Sequence, residues 1–333
     1  MRTIRTRAVA VPAAAAIAVG LTGALWAAPA AALGPSQYRL VARIRAAPST
    51  AALAVDPGRH VLYAADTSPG IVAVVDTRTN RVLRRLRLGT GVEIIAVDPT
   101  THRVYVTCDD GTLRVLAGTS GRLLASVEVG AEPFSVAVDP VAHRAYVTSE
   151  FHGDGTFTAV STRTDRVVAR IRLGGYPNQV ALDPARHTAW VTDTVRDRVL
   201  VIDTRQLRIR AAVQVGRDPI GVSVDSATHA ALVSDNGTGT VTIVAARTDR
   251  VVRTIPTGRS PLLGTIDARS GVGYVADEGS GTVAVIDIGT ARVVRTIAVP
   301  AGPAAVVIDP ETRRLYVSSL ARGTVSVFQI SAP

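Results

Sequence analysis

Between Val97 and Leu116 the chain reads VDPTTHRVYVTCDDGTLRVL, which puts a histidine, a thiol and two adjacent carboxylates within nine residues. His102, Cys108, Asp109 and Asp110 are residue types that ligate metals or move protons in acid–base catalysis. Whether they can meet depends on the elements that carry them, and those elements recur. The Asp of a recurring VDP-like triplet falls at positions 56, 98, 139, 183, 225, 267 and 309, at intervals of 42, 41, 44, 42, 42 and 42 residues. A period this regular is a repeat architecture, and it decides the fold before any local pattern does.

Each repeat carries the same four apolar runs. EPFSVAVDP (132–140) is a short strand ending in a turn, and HRAYVTS (143–149) is a second strand. In a later copy GTVAVIDI (281–288) and ARVVRTIAV (291–299) supply the third and fourth. Val and Ile suit strands, and Asp-Pro, Gly-Thr, Asp-Gly and Gly-x-x-Pro turns separate the runs. Four antiparallel strands in about 42 residues make one propeller blade. The chain opens on a lone fourth strand, YRLVARI (38–44), and ends on a third strand without a fourth, VSVFQI (325–330). The spacing therefore predicts an all-β, seven-bladed β-propeller of four-stranded antiparallel blades over residues 37–330. The N-terminal strand completes the last blade and so hides two open sheet edges.

With strands a to d numbered outward from the channel, the a–b and c–d turns share one face. The b–c and d–a loops share the second. His102 then lies in an a–b turn, while Cys108, Asp109 and Asp110 lie at the far end of strand b, roughly 20 Å away when extended. They cannot form one site. His60, His143, His187 and His229 follow the repeat Asp at the same distance as His102, one per blade. They are expected as half-exposed turn residues, too far apart to share a metal. The repeat Asp is read as a turn device. Cys108, the only cysteine, is read as a small strand-end residue whose acidic neighbours oppose a reactive thiolate.

The second face differs from copy to copy and carries the candidate ligand-binding residues. These are Glu93, Asp109, Asp110, Glu132, Glu150, His152, Asp154, Tyr176, Asn178, Arg217, Asp218 and Arg259. With Asp66, Asp193, Asp197, Asp235, Asp277 and Glu278 in the b–c loops, this face reads as acidic. The 44-residue interval contains SEFHGDGTF (149–157), the longest b–c loop, with the one histidine of this face. Loops lengthened on a rigid scaffold often contact ligands. No residue is assigned a catalytic role.

The 37 basic residues are all arginine, giving a formal net charge of +10. They gather on strand d, as in RVLRRLRL (81–88) and RVVARIRL (166–173). On an outer edge such charge prevents sheet-to-sheet association, or it makes a surface for a polyanion. Aromatics are only 4% of the chain, which removes the stacking platforms of single-strand binders, and no specific nucleic acid is predicted. MRTIRTR, the apolar stretch from Ala8 to Ala28 and the small residues Ala28, Ala30 and Ala32 read as a secretory signal peptide over residues 1–32. The mature chain is then secreted or held in the cell envelope, with no transmembrane segment of its own. With a single Cys it has no internal disulfide.

The second-strand phrases YVTC, YVTS and WVTD (190–193), with the variants YAAD, YVAD and YVSS and the companions TVAVID and VVRTI, resemble the YVTN-repeat β-propeller family. That family is seen in bacterial secreted and cell-surface proteins. The resemblance covers essentially the whole mature chain and implies the same fold. Its motifs are strand and turn residues, so they say little about function. No G-x-S-x-G, H-E-x-x-H or phosphate loop is present. The expected function is a monomeric, exported, non-catalytic binding scaffold without a cofactor, recognising a protein, glycan or cell-envelope polymer through the b–c/d–a face. The alternative is a metal-assisted lyase or lactonase-type enzyme at the channel mouth. Seven-bladed relatives such as streptogramin lyases use a metal with His and Glu ligands there. Only His152 is available here, so carboxylates and carbonyls would have to hold Ca²⁺ or Mg²⁺. A third reading is polyanion binding by the arginine-rich rim.

Overall fold

The computed structural model describes residues 37–331, apart from 68, 69, 90, 151 and 301. The expected signal peptide over residues 1–32 lies outside the described residues. Seven four-stranded antiparallel sheets follow one another along the chain. Strand a of blades 1 to 7 spans Ala52–Asp56, Val92–Val97, Pro133–Asp139, Pro177–Asp183, Pro219–Asp225, Pro261–Asp267 and Pro303–Asp309 in turn. Blade 7 continues through Arg314–Ser319 and Thr324–Ser331, and its outermost strand is Gln37–Arg45. That strand runs antiparallel to the last one, from Gln37 opposite Ser331 to Arg45 opposite Thr324, with an irregularity between Leu40 and Ala42. The N-terminal strand thus closes the ring, as the sequence predicts. Among the described residues no helix is long and apolar enough to cross a membrane.

The composition of each strand follows from its place. Strand b of blade 1, VLYAAD, is buried along its whole length, and strand c, IVAVVD, along all but its last residue. Both lie between neighbouring blades, so β-branched and apolar residues fill both sheet faces. Strand d of the same blade, RVLRRLR, is exposed at Arg81, Leu83, Arg84, Arg85 and Arg87. The third residue of strand b carries the largest fully buried side chains, Tyr63, Tyr105, Tyr146, Trp190, Tyr274 and Tyr316.

The threonine of the YVT phrase is a tie between blades. Thr107 Oγ1 accepts from Ile94 N (3.0 Å) and approaches Ile94 O (3.1 Å) and, in the next blade, Phe134 O (2.9 Å). Thr148 donates likewise to Asn178 O (2.6 Å), Thr192 to Ile220 O (2.9 Å) and Ser318 to Ala51 O (3.3 Å). Blades 1 and 6 have Ala65 and Ala276 at this position, where no hydroxyl exists to make the bond.

The five a–b turn histidines, His60, His102, His143, His187 and His229, all have φ between 52° and 56°, and Gly271 and Arg313 complete the set of left-handed turn residues. Histidine enters this region more readily than most residues with a Cβ, so backbone conformation accounts for the recurrence. The turn also ties blades together. His102 Nδ1 lies 2.8 Å from Asp56 Oδ2 of blade 1. Ser226 Oγ donates to Asp183 Oδ1 at 2.5 Å, and Arg313 reaches Asp267.

Candidate functional site

On the second face each d–a loop lies against the b–c turn of its own blade. The bonds are Asp109 N to Gly91 O (3.1 Å), Glu150 N to Glu132 O (3.3 Å), Thr194 N to Tyr176 O (3.1 Å), Asn236 N to Asp218 O (3.1 Å) and Glu278 N to Ser260 O (3.0 Å). The two loops of a blade therefore form one lip, and candidate residues are gathered blade by blade.

The long loop of blade 3 does more than this. Its Asp154 forms an isolated parallel bridge with Gly175, in the loop that leads into blade 4. Glu150, only 7% exposed, accepts a hydrogen bond from Gly153 N at 2.6 Å and so folds the loop back on itself. His152 and Asp154 stay exposed on it. Beside the bridge, Tyr176 is 39% exposed, and its N–H donates to Asp193 Oδ1 at 3.1 Å. Partial burial raises the Tyr176 phenol above its ordinary value, and the carboxylates of Glu150, Glu132 and Glu93 add to the rise. Glu93 is itself raised, first by burial and then by Asp109. Glu93, Asp109, Glu132, Glu150 and Tyr176 thus share one electrostatic neighbourhood across blades 2 to 4, in which the phenol keeps its proton and can donate it.

The inner ring of the mouth has its polar residues on the same side, in blades 2 and 4. The residue after the first position of strand a is Glu93 in blade 2, Phe134 in blade 3 and Asn178 in blade 4. It is Ile220, Leu262 and Ala304 in blades 5 to 7. Asn178 is 5% exposed, and its Oδ1 has no hydrogen-bond partner among the described residues.

The remaining candidates hold loops in place. Asp110 accepts from Thr112 N (3.2 Å) and Thr112 Oγ1 (2.6 Å) and pairs with Arg114 (2.6 Å). Against the effect of burial, these partners hold its carboxyl below the usual range. Arg217 donates to Gly237 O (3.2 Å) and Arg259 to Gly279 O (2.7 Å), while Asp218 N donates to Asp197 Oδ1 (2.9 Å). These three belong to the lips of blades 5 and 6, outside the group on blades 2 to 4.

The acidic reading of the whole face needs correction. Asp66, Asp193, Asp235 and Asp277 end their b strands and are at most 1% exposed. They face inward and fasten the d–a loops and strand c. Asp66 accepts from Ser49 N (3.0 Å), and Asp193 faces Arg198 (2.9 Å) and Arg196 (3.4 Å). Asp235 accepts from Thr242 (2.7 Å) and Thr240 (3.1 Å), and Asp277 from Thr282 (3.3 Å). Burial pushes both Asp235 and Asp277 up to about 6, although the hydroxyl and amide donors pull the other way. The glycine of Gly-x-x-Pro makes room for them. A Cβ on Gly216 would lie 2.6 Å from Asp235 Cβ, and one on Gly258 2.7 Å from Asp277 Cβ. Cys108 stands in the place of these aspartates, fully buried, and burial pushes its thiol up to about 12, with smaller contributions from Asp110 and Asp109. It is not poised as a nucleophile.

Among the described residues, no group of three or more His, Cys, Asp or Glu side chains is placed to hold a metal ion. No family model matches the chain, and no curated protein matches it. Among solved structures, hydrazine synthase from Kuenenia stuttgartiensis is similar, with a TM-score of 0.75 and 18% identity over 86% of this chain and 97% of that one. At that identity the likeness speaks to architecture alone. The blade order, the strand register and this likeness make the chain a seven-bladed β-propeller closed by its N-terminal strand.

Proposed function

We propose that the chain is an exported, non-catalytic propeller of the YVTN-repeat type that binds a partner through the lips of blades 2 to 4. The observation that carries this reading is the docked 149–157 loop. Its bridge to Gly175 places Glu150 beside Tyr176, and Glu132 and Glu93 join them electrostatically. Carboxylates around a protonated phenol suit a ligand that presents cationic groups, such as a basic protein segment or an amino-sugar polymer of the cell envelope. Export rests on the signal-like residues 1–32. The test is binding of arginine- and lysine-rich peptides and of deacetylated amino-sugar chains to the protein, its Glu93→Gln variant and its Glu132→Gln variant. Saturable binding that each variant weakens about tenfold supports the reading. Absence of binding at low salt, or turnover of a bound ligand, defeats it.

A second reading has its own observation. The seven outer strands carry 17 arginines and one carboxylate, Glu128. Seven of the arginines fall on the neighbouring outer strands Gln37–Arg45 and Arg81–Arg87, which Arg85 joins by donating to Ala46 O and Arg45 O at 2.8 Å. Protection of sheet edges does not call for such a bias, whereas a polyanion does. Steeply salt-dependent retention on heparin that weakens on changing Arg39 and Arg43 to Gln supports polyanion binding, and elution at low salt removes it.

A further inference from the structure

On the first face, the seam between blades 1 and 2 departs from the pattern of blades 1, 3 and 4, as the strand-c end of blade 5 also does with Ala245 opposite Arg250 and Ala246 after it. In blades 1, 3 and 4 the residue after strand c is a threonine: Thr77, Thr162 and Thr204. Each stands beside a strand-b tyrosine of the preceding blade. Tyr146 shares a hydrogen bond with Thr204, and Thr162 and Thr77 adjoin Tyr105 and Tyr316. In blade 2 the position is Gly118. Tyr63 of blade 1 then has no threonine to meet. Its ring is 1% exposed and its hydroxyl, like those of Tyr105 and Tyr316, has no hydrogen-bond partner among the described residues, but it alone lies against a glycine, 3.9 Å from where a Gly118 Cβ would sit.

A second change falls one residue earlier. Strand c ends in Asp76, Asp203 and Asp287 in blades 1, 4 and 6, each directly opposite the arginine that opens strand d: Arg81, Arg208 and Arg292. In blade 2 the facing pair is Ala117 and Arg122, so this arginine has no carboxylate across from it. The outcome is a groove of about 370 Å³ lined by Arg59, His102, Ala117, Gly118 and Arg122, among others. Arg59 and Arg122 are exposed, and neither side chain makes an ion pair or a hydrogen bond among the described residues. The carboxylate behind the groove, Asp56, is 1% exposed and already occupied by His102 Nδ1 and Arg59 N. Arg103, also on the wall, is turned to Thr162 O and Asp165.

We propose that this groove is an oxyanion site for the phosphate group of a small phosphomonoester. Two unpaired guanidiniums supply forked donors matched to phosphate oxygens. The Tyr63 hydroxyl, buried behind Gly118 near Asp56 and Arg59, is a further donor that reaches the phosphate through a water. The groove volume suits a small molecule and not a polymer. The site is on the face opposite the proposed partner-binding lips and does not depend on them.

The experiment is a calorimetric titration of the protein with phenyl phosphate, inorganic phosphate and acetate. Expected are one saturable site, phosphate preferred over acetate, and phenyl phosphate at least as tight as inorganic phosphate. Ala117→Asp restores the carboxylate found in three other blades and should weaken binding about tenfold, as should Arg59→Gln. Tyr63→Phe, which leaves charge and packing in place, should weaken it about threefold. Arg166→Gln opens strand d of blade 3 in the same way and should leave affinity unchanged. The proposal is overturned if phosphate does not saturate, if Ala117→Asp binds like the parent, or if Arg166→Gln loses as much as Arg59→Gln.

Discussion

Two neighbouring seams of this ring are built on the same repeat and held to different degrees. Between blades 2 and 3, Thr107 reaches Phe134 O, and Arg103 donates to Thr162 O and Asp165 Oδ2, both at 2.5 Å. Between blades 1 and 2 the residues at those positions are Ala65 and Val61, and the tyrosine faces a glycine. The tie from His102 to Asp56 remains. Strand interiors are alike in both because packing against two blades admits only apolar, close-fitting residues. The polar ties are individually dispensable, and where several lapse together a groove opens. That is where this scaffold has room for a function its neighbouring seam lacks.

The largest expected effect tests the tie itself. Thr107→Val keeps the shape of the side chain but strands Ile94 N and Phe134 O in a buried seam. It should cost about 2 kcal/mol in urea unfolding, the range for a buried hydrogen bond lost with its partners left behind. Ala65→Ser adds the missing hydroxyl at the other seam and should gain up to about 1 kcal/mol. If Thr107→Val unfolds like the parent, the two seams do not differ in the way their geometry implies.

The contrast between paired and unpaired groups extends to the carboxyls that end strand b. Asp193 has Arg196 and Arg198 beside it, whereas Asp235 and Asp277 have hydroxyl and amide donors and are pushed up to about 6. Their folded-state values lie above the ordinary 3.8, so the native state holds these protons more tightly than the unfolded chain does. The stabilisation is present in full below about pH 4 and is lost as the pH rises through 6. At pH 7 each buried carboxylate should therefore cost about 3 kcal/mol relative to its protonated form. Asp235→Asn should raise the Tm at pH 7 and leave it nearly unchanged at pH 4. A difference between parent and variant that does not grow from pH 4 to pH 7 would falsify the assignment.

The period of the repeat Asp made the ring readable from sequence, and the unmatched strands at the two ends revealed its closure, because both are properties of spacing along the chain. What eluded the sequence lies between blades. The bond from His102 to Asp56 spans 46 residues, so it crosses the period and leaves no local trace. Asp235 and Asp277 sit next to turn residues and read as exposed, but the d–a loop seals over them through a glycine. Of the candidate binding residues, the lengthened loop identified Glu150 and Asp154 by position. The coupling of Glu93 to Tyr176, two blades apart, needed the ring to be closed. Gly118 also eluded the sequence, because aligning the repeats on their Asp sets Thr119 beside Thr77 and Thr204, and only the observed ends of strand c bring Gly118 into line with Thr77, Thr162 and Thr204.

That aligned column supplies the smallest and sharpest comparison. Tyr146 and Tyr63 occupy the same strand position, are each 1% exposed and sit in equivalent seams. The Tyr146 hydroxyl bonds Thr204, and the Tyr63 hydroxyl has no hydrogen-bond partner among the described residues. Tyr146→Phe should cost about 1 kcal/mol, because Thr204 is left without its partner. Tyr63→Phe removes a buried polar atom that has no partner to lose, so it should be neutral or stabilising by up to about 1 kcal/mol. Both follow from paired urea curves on the two variants. A saturating phosphomonoester sharpens the test further. A ligand bound by the native state alone raises stability in proportion to its affinity, so phenyl phosphate should protect the parent more than Tyr63→Phe. The sign of the Tyr63→Phe difference should therefore reverse or shrink on adding ligand, while that of Tyr146→Phe should not move. Equal losses for the two variants without ligand would mean that Tyr63 has a partner after all, and that Gly118 leaves no opening at this seam.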